Sequence, residues 1–76
     1  MKQVVIAQRG WVYIGDVEMG VDEAIITNAK NIRRWTNGAG LGGIAANGLD
    51  GAEVEDVGTV RIHPLAIVAR YDCLWS

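Results

Sequence analysis

Six of the ten glycines (Gly38, Gly40, Gly42, Gly43, Gly48 and Gly51) fall between Asn37 and Gly51, and this crowding limits what the chain can build. Glycine loses more freedom on ordering than any other residue and weakens a helix or strand interior by ~0.5–1 kcal/mol relative to alanine. No long regular element fits there. Leu41, Ile44, Ala45 and Ala46 stand at helical spacing inside the cluster, which predicts a helix of one or two turns with Gly48 as its C-terminal stop after Asn47. The remaining regular structure has to come from the two flanks, and both are rich in short β-branched runs.

On the N-terminal side Val4 to Ala7 reads as a strand ending at Arg9-Gly10, and Trp11 to Ile14 as a second ending near Gly15. An acidic stretch from Asp16 to Asp22 follows, and Ala24 to Thr27 resumes the β pattern. Asn28 to Trp35 reads as a short extension or a single turn, because Ala29, Ile32 and Trp35 are spaced like a helix while Asn28 and Asn31 favour turns. After the glycines, Glu53, Glu55 and Asp56 predict an acidic loop, a solvated turn or a mimic of phosphates toward a basic partner. Val57 to His63 then alternates, with Val60 and Ile62 on one face and Thr59, Arg61 and His63 on the other. Pro64 forces a turn, and Leu65 to Tyr71 reads as a strand with Leu65, Ile67 and Ala69 on one face. The expectation is one domain over 1–76, mainly β, a small antiparallel SH3-like or Sm-like barrel with one short helix. An α+β unit on an antiparallel sheet is the alternative.

A domain near 76 residues buries only about 60% of the surface its unfolded chain exposes, so an added source of stability is expected. Cys73 is the only cysteine, which rules out an intramolecular disulfide and a multi-cysteine zinc site. Self-association is the remaining source. The net charge of −2 argues against generic DNA or membrane binding, so a polyanion site has to be local. At the start, MKQVVIAQRGW carries one Lys and an apolar run broken by Gln8 and Arg9, too short for a signal segment or a membrane span. A cytoplasmic protein is expected.

Candidates for catalysis are few. The chain has one His, one Cys and one Ser, and a serine triad would need Ser76 at the C-terminus, where nothing fixes its position. His63 with Cys73 has the residue types of a nucleophilic pair but no signature around it, and a metal there would need two further ligands from scattered carboxylates. His63 reads instead as a polar-face residue before the Pro turn, and Cys73 as a small core residue. No enzyme, metal or cofactor is expected.

The most informative stretch runs from Lys30 to Ala46. It holds three of the seven basic residues, an indole, and then Gly38, Gly40 and Gly43 in GxGxxG spacing just before the predicted helix. Such an arrangement can hold an anion: glycines let backbone N–H groups approach a phosphate, the helix start adds donors, and Arg33 or Arg34 adds charge-assisted bonds. Trp35 can stack on a base. The candidate ligand site is Arg33, Arg34, Trp35, Thr36, Gly38, Gly40, Gly42 and Gly43. It is no dinucleotide fingerprint, because the chain lacks room for the βαβαβ frame. The competing reading makes the glycines turn and packing residues, Trp35 an anchor, and the arginines partners of the 53–56 acids. Three Trp with no Phe, and the apolar Leu74-Trp75 at the end, add Trp11, Leu74 and Trp75 as candidate interface residues. Trp75 folding back over its own core is the competing reading.

The run Arg9-Gly-Trp-Val-Tyr-Ile-Gly15, then Asn31-Ile-Arg-Arg-Trp35, Gly40-Leu-Gly42 and Gly58-Thr-Val-Arg-Ile-His63 resembles a family of small, uncharacterised proteins encoded mainly in bacteriophages and prophages. The likeness covers most of the chain. After the Arg-Arg-Trp the family pattern reads Gly-Thr-Thr-Lys-Gly-Leu-Gly, where this chain has Thr36-Asn-Gly-Ala-Gly-Leu-Gly42, so Ala39 replaces a lysine. The resemblance implies a viral accessory protein, of a kind that often counters host defence. The expected function is a non-enzymatic homo-oligomer that binds and sequesters an anionic or nucleotide ligand in the host cytoplasm. A protein–protein inhibitor of a host factor, docking through Trp11, Trp35 or the acidic loop, and an Sm-like RNA-binding module are the alternatives.

Overall fold

The computed structural model describes every residue except Thr36, Asn37, Ala39 and Ser76. Five strands form one antiparallel sheet: β1 (Lys2–Ala7), β2 (Val12–Met19), β3 (Ala24–Trp35), β4 (Ala52–Ile62) and β5 (Ile67–Asp72), in the spatial order β4-β3-β2-β1-β5. One helix, α1 (Gly40–Asn47), lies between β3 and β4, and a 3₁₀ turn at Pro64–Ala66 leads into β5. The protein is mainly β with one short helix.

β4 and β5 are neighbours in sequence but sit at opposite edges of the sheet. Four interstrand spacings would hold those edges ~19 Å apart in a flat sheet, and the steps from Ile62 to Ile67 span ~18 Å only if fully extended. Three of those residues are wound into the 3₁₀ turn, so the sheet has to bend. The packing agrees: Val60 and Ile62 of β4 and Ile67 of β5 close over the same cluster of Val5, Ile26 and Ala29. On the other face Val4, Val12, Ile14 and Ile32 pack against Ile44 and Ala45 of α1. Val4 and Val5 are both fully buried, one on each face. A continuous apolar run such as 4–7 is what a strand covered on both sides needs.

The helix ends where expected. Gly48 takes φ +110°, and its amide donates to the Ile44 carbonyl at 3.0 Å, the capping geometry that favours glycine. Gly15 serves another purpose, since a Cβ there would lie 2.7 Å from the Thr27 carbonyl oxygen and 2.8 Å from Ile26 Cγ2. Only a residue without a side chain lets β2 and β3 meet at the register shift between Ile14 and Asp16.

Four expectations are corrected. β2 does not end near Gly15 but runs on to Met19, pairing Asp16 to Met19 with Thr27 to Ala24 of β3, so the start of the acidic stretch is strand. Residues 28–35 are neither an extension nor a turn but the second half of β3. Ala29 and Ile32 are both buried, in the clusters on opposite faces of the sheet. A spacing of three marks one face of a helix, but in a strand it marks two faces, and here both are covered. Asn28, at φ +51°, sits in the irregular stretch of the ladder opposite Gly58, which hides the alternation. The acidic stretch 53–56 is likewise no loop. It lies inside β4, with Ala52 and Val54 half-buried between exposed Glu53 and Glu55. The last strand starts at Ile67 and not at Leu65, which is exposed in the 3₁₀ turn.

Candidate functional site

Trp11 follows a tight turn in which the Ala7 amide donates to the Trp11 carbonyl at 2.7 Å. Inside that turn Arg9 takes φ +66°, a left-handed conformation that costs a non-glycine residue on the order of 1 kcal/mol or more. The register that sets Tyr13 opposite Asn31, carried two residues further, sets Trp11 opposite Arg33. Arg9, Gly10, Trp11, Asn31, Ile32 and Arg33 therefore line one open concavity of ≈ 270 Å³. Trp11 is 52% exposed, and two arginines stand in the same lining as this tryptophan. Such a surface offers fork-shaped donors for an anion and a flat apolar face for a ring.

Arg33 also faces the neighbouring strand, with Nη1 3.5 Å from Glu55 Oε2, and Lys30 pairs with Asp56. Arg34 stands opposite Glu53 in the β3–β4 register and does not line the concavity. Trp35 is 39% exposed at the end of β3. Gly40, Gly42 and Gly43 lie in α1, and Gly42 lines a different groove, of ≈ 330 Å³, with Ala45, Ala46, Arg70, Tyr71, Asp72 and Leu74. Gly38, exposed at φ +75°, precedes the helix, and Thr36 lies outside the described residues. Of the candidate ligand residues, Arg33 thus lines the first concavity and Gly42 the second. Arg9, Gly10 and Asn31 join Arg33, although the sequence marked them only as parts of the resemblance motifs and not as ligand-site residues. Their one legible signal is a basic residue and a glycine breaking two apolar runs immediately before a tryptophan.

Trp75 folds over its own helix. Its indole Nε1 donates to the Ile44 carbonyl at 2.7 Å, and Lys2 Nζ lies 4.5 Å above the ring. Leu74, by contrast, is 78% exposed, although its amide donates to the Ala45 carbonyl at 2.8 Å. Cys73 packs half-buried against the α1-side cluster. Burial pushes its thiol above the usual range, with Lys2 opposing and Asp72 adding to the rise. A shift in that direction disfavours the thiolate, the nucleophilic form. The His63 ring accepts the Leu65 amide at Nδ1, 3.1 Å away, and so caps the 3₁₀ turn. Among the described residues no group of three or more His, Cys, Asp or Glu is placed to hold a metal ion, and no helix is long and apolar enough to cross a membrane. Comparison with family models, curated proteins and solved structures gave no match.

Proposed function

We propose that this chain is a non-enzymatic, phage-type accessory protein that associates with copies of itself and holds an anionic, nucleotide-type ligand, removing it from a pathway in the host cytoplasm. The observation that carries this reading is the meeting of Arg9, Trp11 and Arg33 in one concavity of an otherwise acidic protein. Phosphate oxygens would take the guanidinium donors while a base lies on the indole. The scarcity of nucleophiles, together with the raised thiol of Cys73, favours binding over catalysis. The finer fold reading, an SH3-like or Sm-like barrel, draws support from the strand order β4-β3-β2-β1-β5 and the 3₁₀ turn before β5. Docking on a host protein is the second reading, favoured by the exposure of Trp11.

Calorimetry against a panel of mononucleotides, cyclic dinucleotides and short RNA tests the site. Arg33→Ala and Arg9→Ala should each weaken binding by ~1.5–3 kcal/mol, the range for hydrogen bonds to charged groups, and Arg34→Ala by far less. No binding by the wild type at millimolar ligand would discard the anion site and leave the docking reading.

A further inference from the structure

β5 pairs with β1 alone and forms one edge of the sheet. Residues of an antiparallel strand turn their N–H and C=O groups alternately to one neighbour and the other. The Cys73 amide donates to the Lys2 carbonyl at 3.0 Å, in register with Gln3 opposite Asp72 and Val4 opposite Tyr71. Tyr71 and Ala69 therefore address β1, while Arg70 and Asp72 turn their backbone groups outward. An outward pair of this kind is a template for another strand.

The side chains along this edge are complementary to themselves. Run antiparallel against a second copy of β5 with Tyr71 on the twofold axis, the strand sets Arg70 opposite Asp72 of the second copy, and Asp72 opposite Arg70 of the second copy. Both of these pairs consist of outward-facing residues. Shifting the axis by one residue either way sets Arg70 against itself or Asp72 against itself, and like charges directly opposed are destabilising. There is also room for the aromatic pair. Tyr71 stands opposite Val4, on the face covered by α1, where the groove walls are the small residues Gly42, Ala45 and Ala46.

We propose that β5 is the seat of a twofold contact with a second copy of this chain, centred on Tyr71 and keyed by the reciprocal Arg70–Asp72 pairs. The proposal rests on the self-association reading above and adds its surface and register. It is tested by sedimentation of charge-reversed variants. The wild type should sediment as a dimer or a multiple of one. Arg70→Asp alone and Asp72→Arg alone should each weaken association roughly tenfold or more, and an equimolar mixture of the two should restore it, because each copy then meets its opposite charge. Association untouched by either change, or a mixture that stays apart, overturns the β5 contact while leaving self-association standing. A wild type that remains monomeric at millimolar concentration overturns both.

Arg70 and Asp72 also bond Gln3 within the chain, so a cysteine pair covers the case in which the reversed variants do not fold. In a Cys73→Ala background, Tyr71→Cys should give a disulfide-linked dimer under mild oxidant, since directly opposed residues of such a pair lie ~4.5 Å apart, within disulfide reach. Thr59→Cys, on β4, should not. The reverse pattern, or no linkage at residue 71, rejects the proposal.

Discussion

The two edges of the sheet are built differently. β4 is the longer, and it carries Glu53, Glu55, Asp56 and Arg61 in exposed positions. Three of these charges are held in ion pairs across the molecule: Glu55 with Arg33, Asp56 with Lys30, and Arg61 with Glu23 at 3.1 Å. At its middle Gly58, φ +75°, interrupts the register with β3. Charge and irregularity along an edge are the usual means of keeping other strands away. β5 has neither. It is half as long, its two charges are joined to each other through the buried amide of Gln3, and Leu65, Val68 and Leu74 stand exposed along it or just beyond its ends. One edge is guarded along its length and the other much less so, which is the contrast the proposed β5 contact draws on.

The openness of β5 depends on its far end being held in place. The Leu74 amide and the Trp75 indole both bond carbonyls of α1, and the indole packs against the cluster beneath the helix. Trp75→Ala should therefore lower stability by about 2–3 kcal/mol, somewhat less than a fully buried tryptophan would cost. Urea unfolding followed by circular dichroism measures it. Trp75→Phe should cost only about 1 kcal/mol, because the Ile44 carbonyl keeps its bond from the Gly48 amide when the indole donor is lost. A change below ~0.5 kcal/mol for Trp75→Ala would mean that the segment after β5 is not pinned, against the usual cost of truncating a packed side chain.

Gly58 tests the guarded edge. Nothing lies within 4 Å of where its Cβ would stand, so a substitution there meets the cost of the left-handed backbone alone. Gly58→Val should destabilise by about 1–3 kcal/mol, and Gly58→Asn by less than half as much, since asparagine tolerates that region. If the kink protects the edge, the valine variant should also scatter more light on concentration. Equal and negligible costs for the two variants would show that β4 is regular at this point, and the contrast with β5 would then rest on charge alone.

How much of this was readable in the sequence depends on how many faces a strand buries. The first half of β2 and the short helix were legible, the first from its apolar run 11–14 and the second from the spacing of Leu41, Ile44, Ala45 and Ala46 before the Gly48 stop. Asp16 to Met19 of β2 were not, because acidic residues break the run. β3 beyond Thr27 was not, because Ala29 and Ile32 point into different clusters and produce a helical spacing by coincidence. Ala52-Glu-Val-Glu55 did alternate, but three acids within four residues, Glu53, Glu55 and Asp56, masked a half-buried edge strand whose acids face the basic residues of β3. The candidate site was half legible. Arg33 was visible beside Arg34 and Trp35 as a local cluster, whereas its spatial partners Arg9 and Trp11 come from the turn that leads into β2 and are joined to it only by the β2–β3 register. No spacing along the chain encodes that register, which is set in part by the close approach at Gly15.

The smallest effect expected lies in the ion pairs that guard β4. The Lys30 side chain is 38% and the Asp56 side chain 82% exposed, so water and salt screen their attraction. A double-mutant cycle with Lys30→Ala and Asp56→Ala should give a coupling of about 0.3–1 kcal/mol, as measured for exposed pairs generally. In 1 M salt, where the screening length falls to ~3 Å, most of it should vanish. Stability is then not the main contribution of these charges, and their removal should be felt elsewhere. Replacing Glu53, Glu55 and Asp56 together by threonine would leave β4 a long strand with high β propensity and no guard on that stretch. That variant should keep most of its stability and yet associate through β4, which cysteine linkage at residue 59 in a Cys73→Ala background would detect. A triple variant that unfolds, or that shows no new linkage at residue 59, would mean that the acids hold the strand together instead of keeping others away, and the two edges would differ in stability, not in accessibility.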